Sequence, residues 1–335
     1  MNSRRARWRV ARIVIGTLLA AAALYVSFLS VDRAQLWAAF GRANPQWLGA
    51  GLGSVMVTLS LVTWRWRWLV GEEPGGTPRW RPLWDSVVIG QAVNIVFPLR
   101  FGEGARVAVT CGELGYSMGR VMVGMALERA LDVSAFATVV VMLLLAGRMP
   151  DAFRSVLPTV AVLIAATITI IVSVVWLMPV SLRWLRERAG RRSRLAVWLQ
   201  AQETSLRSGW ADVTRGPRVL AIVALTAVGL VSSASTNFLI FRAFDLPVPP
   251  IAALVLLAVL QVGTAVVSVP GNIGVFHYLT VLTLATWHVP QSTALATAIV
   301  LHIVSLGPRV ALGAVAAAGM RLRRAVTPIS EGNRS

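Results

Sequence analysis

The chain contains no lysine; all 32 of its basic residues are arginine. A P-loop needs a lysine to reach the terminal phosphates of a nucleotide, so ATP-driven chemistry of that kind is excluded. A Schiff-base lysine and an SxxK nucleophile are excluded with it. Cysteine is reduced to Cys111, which has no partner for an internal disulfide. The three histidines are scattered without metal-ligand spacing, and there is no Ser-His-Asp arrangement, nucleotide-binding glycine fingerprint or HExxH. Charge is scarce as well: 14% of residues, against roughly 25% in ordinary globular domains.

What fills the chain instead is apolar. Such residues make up 56% of it, in runs longer than a soluble core needs, and 13 tryptophans suit the headgroup level of a bilayer. Runs able to cross roughly 30 Å of hydrocarbon are Val10–Ser30, 47–64, 121–147, 155–179, 219–241, 250–269 and 293–316, with 274–289 a weaker one. The first follows Arg4, Arg5, Arg7, Arg9 and Arg12. It is longer than a usual signal-peptide core and no A-x-A site follows, so it reads as a span. The expected fold is an all-α polytopic membrane protein of about eight spans, occupying 1–324, with a polar cytoplasmic tail over 325–335.

Arginine placement sets the expected orientation. The N-terminus, 65–82, 99–120, 181–218 and the tail with Arg321, Arg323 and Arg324 go to the cytoplasmic side of a bacterial inner membrane. Only Arg33, Arg42, Arg148, Arg154 and Arg242 are left opposite. The net charge of +18 would suggest nucleic acid in a soluble protein; here retained cytoplasmic charge and attraction to anionic lipid account for it, and nucleic acid is not an expected partner. Within 181–218, Leu195, Trp198, Leu199, Leu206, Trp210 and Val213 recur at helical spacing, with Arg191, Arg192, Arg194 and Arg207 mostly off that stripe. This reads either as a basic amphipathic helix on the membrane surface or as a solvated connector.

Leu83–Pro98 breaks the up-and-down pattern. It is apolar but short, and counting it as a crossing would put the arginine-rich 181–218 outside. A re-entrant hairpin removes the conflict, and such irregular backbone is tolerated at membrane depth only within protein or beside a wet cavity. Residues 92–109, AVNIVFPLRFGEGARVAV, follow the same logic. Pro98 stops a helix, Gly102 and Gly104 free the backbone, and Arg100, Glu103 and Arg106 bring both signs of charge. The plain alternative is a cytoplasmic turn that serves topology alone.

In MALERALDV (125–133), Glu128 and Asp132 share a helix face, with Arg129 beside Asp132 at three residues' distance. A helix starting near Ser117 places them at buried depth, as a self-satisfied triad or a site; intramembrane ion pairs mark sites by default. VVSVPGNIGVFHYL (266–279) repeats the first pattern: superposing Pro98 on Pro270 matches Gly102 with Gly274, and paired broken helices point to a transporter's binding site. Arg309, behind Pro308 in the last run, lies too deep for a topology signal and needs a carboxylate, a wet cavity or an anionic ligand. His277 and His302 read as packing residues.

GQAVNIVFPLRFGEGAR, the following LERALD, VPGNIGVF and an arginine in the last span together resemble the transmembrane, flippase-like domain of the lysylphosphatidylglycerol synthase family, over nearly the whole chain. That resemblance implies a lipid-translocating domain with re-entrant helices around a central cavity. In two-domain relatives a soluble aminoacyltransferase makes the lipid that is moved; the sequence ends at Ser335 without one. Two departures bear on the substrate: relatives often have glycine where this chain has Asn272, and an acid where it has His277.

The candidate substrate-binding set is Asn94, Arg100, Glu103, Arg106, Glu128, Arg129, Asp132, Gly271, Asn272, His277 and Arg309, with no catalytic, metal or cofactor group expected. Two interrupted hairpins, both dipping in from the cytoplasm, are expected to shelter this pocket. Three functions fit. One is a flippase or scramblase for an anionic or zwitterionic lipid head, with membrane lipid as partner. The second is a membrane-embedded transferase acting on a lipid-linked sugar or lipid head, using Glu103 or Glu128 as base. The third is a non-catalytic partner of a separate glycosyltransferase or aminoacyltransferase.

Overall fold

The computed structural model describes residues 22–27, 31–71, 79–97, 101–147, 194–213, 216–266 and 269–326, with isolated positions between 161 and 188. The chain is an all-α membrane protein, with no strand among the described residues. Its helices are α1 Arg33–Arg42, α2 Pro45–Val70, α3 Trp80–Val96, α4 Phe101–Leu114, α5 Met118–Leu145, α6 Arg194–Val213, α7 Gly216–Ala243, α8 Ile251–Val266, α9 Val275–Ala285 and α10 Gln291–Val326.

Three of these are long and apolar enough to cross a bilayer: α2, α7 and α10 over Gln291–Arg323. α5 has the length, at 28 residues, but carries the charges of the LERALD segment. Val10–Ser30 and 155–179, two of the expected spans, lie almost wholly outside the described residues. The run 274–289 is not a span of its own: α9 has 11 residues, about 17 Å of helix, little more than half the hydrocarbon thickness.

α2 and α7 form an antiparallel pair at the centre. Asn44 caps α2 by accepting from the Gln46 amide at 2.9 Å, with Pro45 at the first helical position. Small residues let the two helices approach. Gly51 faces Ile240. Ser54 donates to the Ser232 carbonyl at 3.0 Å, Thr58 and Ser232 share a 2.8 Å hydroxyl contact, and Thr236 donates to Ser54 at 3.0 Å. The apolar core grows around this pair, with Val55 and Leu59 of α2 against Val88, Leu256, Phe276 and Leu301.

α3 and α4 fold back on one another. At 17 and 14 residues they reach about 25 and 21 Å, each short of a full crossing. At their open end Arg79 donates to the Glu113 carbonyl at 2.9 Å. Near the tip the Asn94 side-chain oxygen accepts from the Gly102 amide at 2.8 Å. A methyl group at Gly102 would strike the Gly90 carbonyl and lie 2.7 Å from Asn94, so the arms meet backbone to backbone. α3 and α4 therefore form a hairpin, as expected of this region, but its return arm is α4, Phe101–Leu114, which was expected to lie in a cytoplasmic stretch.

α8 and α9 make a second hairpin, with Leu279 pressed onto Gly263. Between them a 3-10 turn, Pro270–Asn272, runs through the left-handed region at Gly271 (φ 65°) and Asn272 (φ 53°), and Gly274 (φ 87°) starts α9. The P-x-x-x-G match thus conceals two different jobs: Gly274 supplies a positive φ, whereas Gly102 supplies closeness inside a helix.

The expectation that both hairpins enter from one side is corrected. α2 ends, α3 starts, α4 ends and α5 starts at one end of the bundle, where the Tyr116 hydroxyl donates to the Gly71 carbonyl at 3.0 Å. α7, antiparallel to α2, carries the chain to the other end. There the Asn44 amide donates to the Ala243 carbonyl at 2.8 Å, and α8 leaves from that end. The first helices of the second half run opposite to those of the first, so the second hairpin enters from the opposite end. The 3-10 turn at its tip meets α3.

Two further contacts close the bundle. Arg323 of α10 donates to the buried Asp85 of α3 at 2.7 Å. Gly313 lies on the Val88 carbonyl at what would be 2.6 Å from a Cβ. α6 docks on the start of α5, where Gln202 accepts from the Gly119 amide at 2.9 Å.

Gly102→Ala is expected to lower the thermal unfolding temperature in detergent by several degrees, because two backbones would have to part. Gly104→Ala, whose added methyl meets nothing within 4 Å, should leave stability equal or raise it by up to ~1 kcal/mol through helix propensity. Equal behaviour of the two variants would refute the close contact.

Candidate functional site

The fold leaves a cavity of about 470 Å³ between the hairpins and the long helices, lined by residues of α2, α3, α4, α5, α7, α8 and α10 and by Asn272. Its charges come from four elements. α2 contributes Arg65, on the stripe that also presents Val55, Thr58 and Val62. α4 contributes Glu103 and Arg106, one turn apart. α5 contributes Glu128, Arg129 and Asp132, and α10 contributes Arg309.

Arg65 was expected in a cytoplasmic loop, but α2 runs on to Val70 and carries it inside the protein. It donates to Glu128 Oε1 at 2.9 Å, to Asp132 Oδ1 at 2.6 Å and to the Thr226 hydroxyl at 3.2 Å. Glu128 is also bound through Oε2 by Arg106 at 2.8 Å. The Arg106 guanidinium lies over the Trp66 ring at 3.7 Å, a stacking worth about 0.5–2 kcal/mol. The Arg65 and Glu128 side chains are only 8% and 9% exposed, so each charge depends on its partners.

The expected pairing of Arg129 with Asp132 is replaced. Arg129 binds Glu103 at 2.6 Å, and Asp132 is taken by Arg65. Residues three apart on a helix lean toward the same neighbour rather than necessarily toward one another, and here two different helices supply the counter-charges. Glu128, Arg129 and Asp132 are therefore not a self-contained triad; they join α5 to α2 and α4. The Arg129–Glu103 pair is 40% and 33% exposed, so it is screened and far weaker than the Arg65 cluster.

Arg309 differs from the other three arginines. It lies within α10, between Val304, which packs beside Gly51, and Gly313 against α3. It makes no ion pair among the described residues, and its Nε is buried without a hydrogen-bond partner. Ser305, one turn earlier, and Asn272 line the same cavity. Arg106 likewise has Nε and Nη2 buried and unpartnered.

Of the expected set, Asn94, Glu103, Arg106, Glu128, Arg129, Asp132, Asn272 and Arg309 line this one cavity. Arg100 lies outside the described residues. Gly271 and His277 stand behind the wall as hairpin scaffolding: His302 meets the Gly271 carbonyl at 2.7 Å, and His277 Nδ1 accepts from the Gly274 amide at 3.4 Å. The two imidazoles lie 4.9 Å apart. Among the described residues no group of three His, Cys, Asp or Glu side chains is placed to hold a metal ion.

A family model described as the lysylphosphatidylglycerol synthase TM region matches residues 13–313. No curated protein matches the chain.

Arg65→Ala takes from Asp132 its arginine partner and from Glu128 one of two, a loss of about 3–5 kcal/mol by analogy with other broken buried pairs. Glu103→Gln should cost less than about 1 kcal/mol, because its pair is half-exposed. Thermal unfolding of the purified proteins in detergent ranks the two; a larger loss for Glu103→Gln would contradict the geometry.

Proposed function

The chain belongs to the lysylphosphatidylglycerol synthase transmembrane family, and on that footing we propose that it is a lipid flippase or scramblase, passing a phospholipid or lipid-linked head across the bilayer. A polar head cannot enter hydrocarbon unaided, whereas the acyl tails can remain in it. The observation that carries the reading is the cavity between the two hairpin tips, which holds arginines and carboxylates among helices that include three candidate spans. Charges of both signs give a phosphate or an ammonium group somewhere to exchange partners. Without a P-loop lysine, movement runs down a lipid gradient or is coupled to an ion gradient.

The surrounding membrane in this proposal is a bacterial inner membrane with both termini cytoplasmic. Support comes from the arginine distribution at the two ends of the bundle. The end where α2 and α10 finish carries Arg67, Arg79, Arg120, Arg218, Arg321 and Arg323; the other carries Arg33, Arg42 and Arg242. Retention of positive charge makes the first end cytoplasmic. The carboxylates matched to Arg65 lie toward that end, and Arg309 lies deeper, so an entering head would meet the ion-pair network before the unpaired cation.

Reconstitution in liposomes with fluorescent lipids of several head classes is expected to give transbilayer movement well above that of protein-free vesicles. Gly229→Trp should reduce it about tenfold, the equivalent of 1.4 kcal/mol on the barrier, because Gly229 lines the cavity and an added Cβ there meets nothing within 4 Å. Movement no faster than in empty vesicles for every head class would overturn the proposal.

A further inference from the structure

The charge balance of the cavity narrows the chemistry of what enters it. Three of its four arginines are matched to Glu103, Glu128 and Asp132 at 2.6–2.9 Å. The fourth, Arg309, has no carboxylate partner among the described residues, so the described lining carries one more cation than anion. Two uncharged polar residues of the same cavity wall do nothing to offset the asymmetry. Ser305 and Asn272 are neutral hydrogen-bonding groups, and the Arg309 Nε is buried with no acceptor. A guanidinium held inside the protein with no counter-charge is costly and favours an anion.

We propose that Arg309 is the binding group for a phosphate anion, namely the phosphodiester of a lipid head whose net charge is negative, and that the cavity selects against heads of net positive charge. The proposal rests on the headgroup-passage reading and deepens it. A negative head supplies the acceptor that Arg309 lacks and neutralises the lining. A cationic head adds a second unmatched positive charge, and the carboxylates it would need are already held by Arg65, Arg106 and Arg129. The guanidinium suits the task because its planar fork can bind two phosphate oxygens at once.

The full chain would be reconstituted in phosphatidylcholine vesicles carrying one fluorescent probe at a time: a phosphatidylglycerol (net negative), a phosphatidylcholine (neutral) or an O-ethylated phosphatidylcholine (net positive). The anionic probe is expected to move about tenfold faster than the cationic one, a difference of 1.4 kcal/mol, and Arg309→Gln should abolish that preference. Equal or faster movement of the cationic probe would overturn the charge selectivity while leaving headgroup passage standing. If no probe moves, headgroup passage itself fails, and the anion site is judged separately by thermal stability in detergent. Stabilisation of the wild type, but not of Arg309→Gln, by short-chain phosphatidylglycerol or by inorganic phosphate would sustain the site. Stabilisation by phosphate alone would identify the occupant as a free anion and overturn the lipid assignment; stabilisation by neither would overturn the proposal entirely.

Discussion

A guanidinium taken out of water has to be matched, and in this protein the matching of Arg65 organises everything around it. One side chain on α2 holds Glu128 and Asp132 of α5 and the Thr226 hydroxyl of α7. Glu128 passes the connection to Arg106 on the first hairpin. Two long helices and a re-entrant element are thereby fixed in register by ion pairs, and a third, α7, is joined through a hydroxyl. Apolar packing alone would not do this, since lipid tails are as good a solvent for leucine as another helix is. Hydroxyl contacts between Ser54, Thr58, Ser232 and Thr236 hold the same α2–α7 pair farther along.

Around that register the chain runs its plan twice. Each half has a long helix, a broken hairpin and another long helix, and the second half is upside down relative to the first. Inverted repeats of this kind bring two breaks together in the middle of a membrane protein, one reached from each face. The tip of the second hairpin touches α3 of the first, and the cavity lies where the two approach. The halves are alike in plan and unlike in chemistry. The first brings the ion-pair network; the second brings a neutral turn stiffened by His277 and His302, and the lone Arg309.

Much of this was legible in the residues. The apolar runs gave α2, α7 and α10, Ser117 marked the start of α5, and the shortness of Leu83–Pro98 exposed the first hairpin. Eight of the eleven candidate residues share the cavity because charged and glycine-rich clusters within apolar sequence have few other uses. Arg65 was missed because it follows an apolar run amid TWRWRW, where an arginine normally marks the membrane boundary. The readable signal was helical spacing, since Arg65 falls seven residues, about two turns, after Thr58 on the inward stripe and Arg67 falls off it. The entry side of the second hairpin could not be read, because it depends on how many times the chain has crossed before it. Nor could the partner of Arg129, since side-chain spacing along one helix cannot say which neighbouring helix will offer a carboxylate.

The backbone contact at Gly90 and Gly102 bears on how the first hairpin can move. Its arms are too close to slide or splay without losing the Asn94 hydrogen bond, so the pair behaves as a single stiff blade. Beside it, the half-exposed Glu103–Arg129 pair is the weaker of its charged attachments to α5. Any swing of this blade would have a built-in order: the outer latch, sensitive to salt, lets go first, while the Arg106–Glu128 pair serves as the pivot.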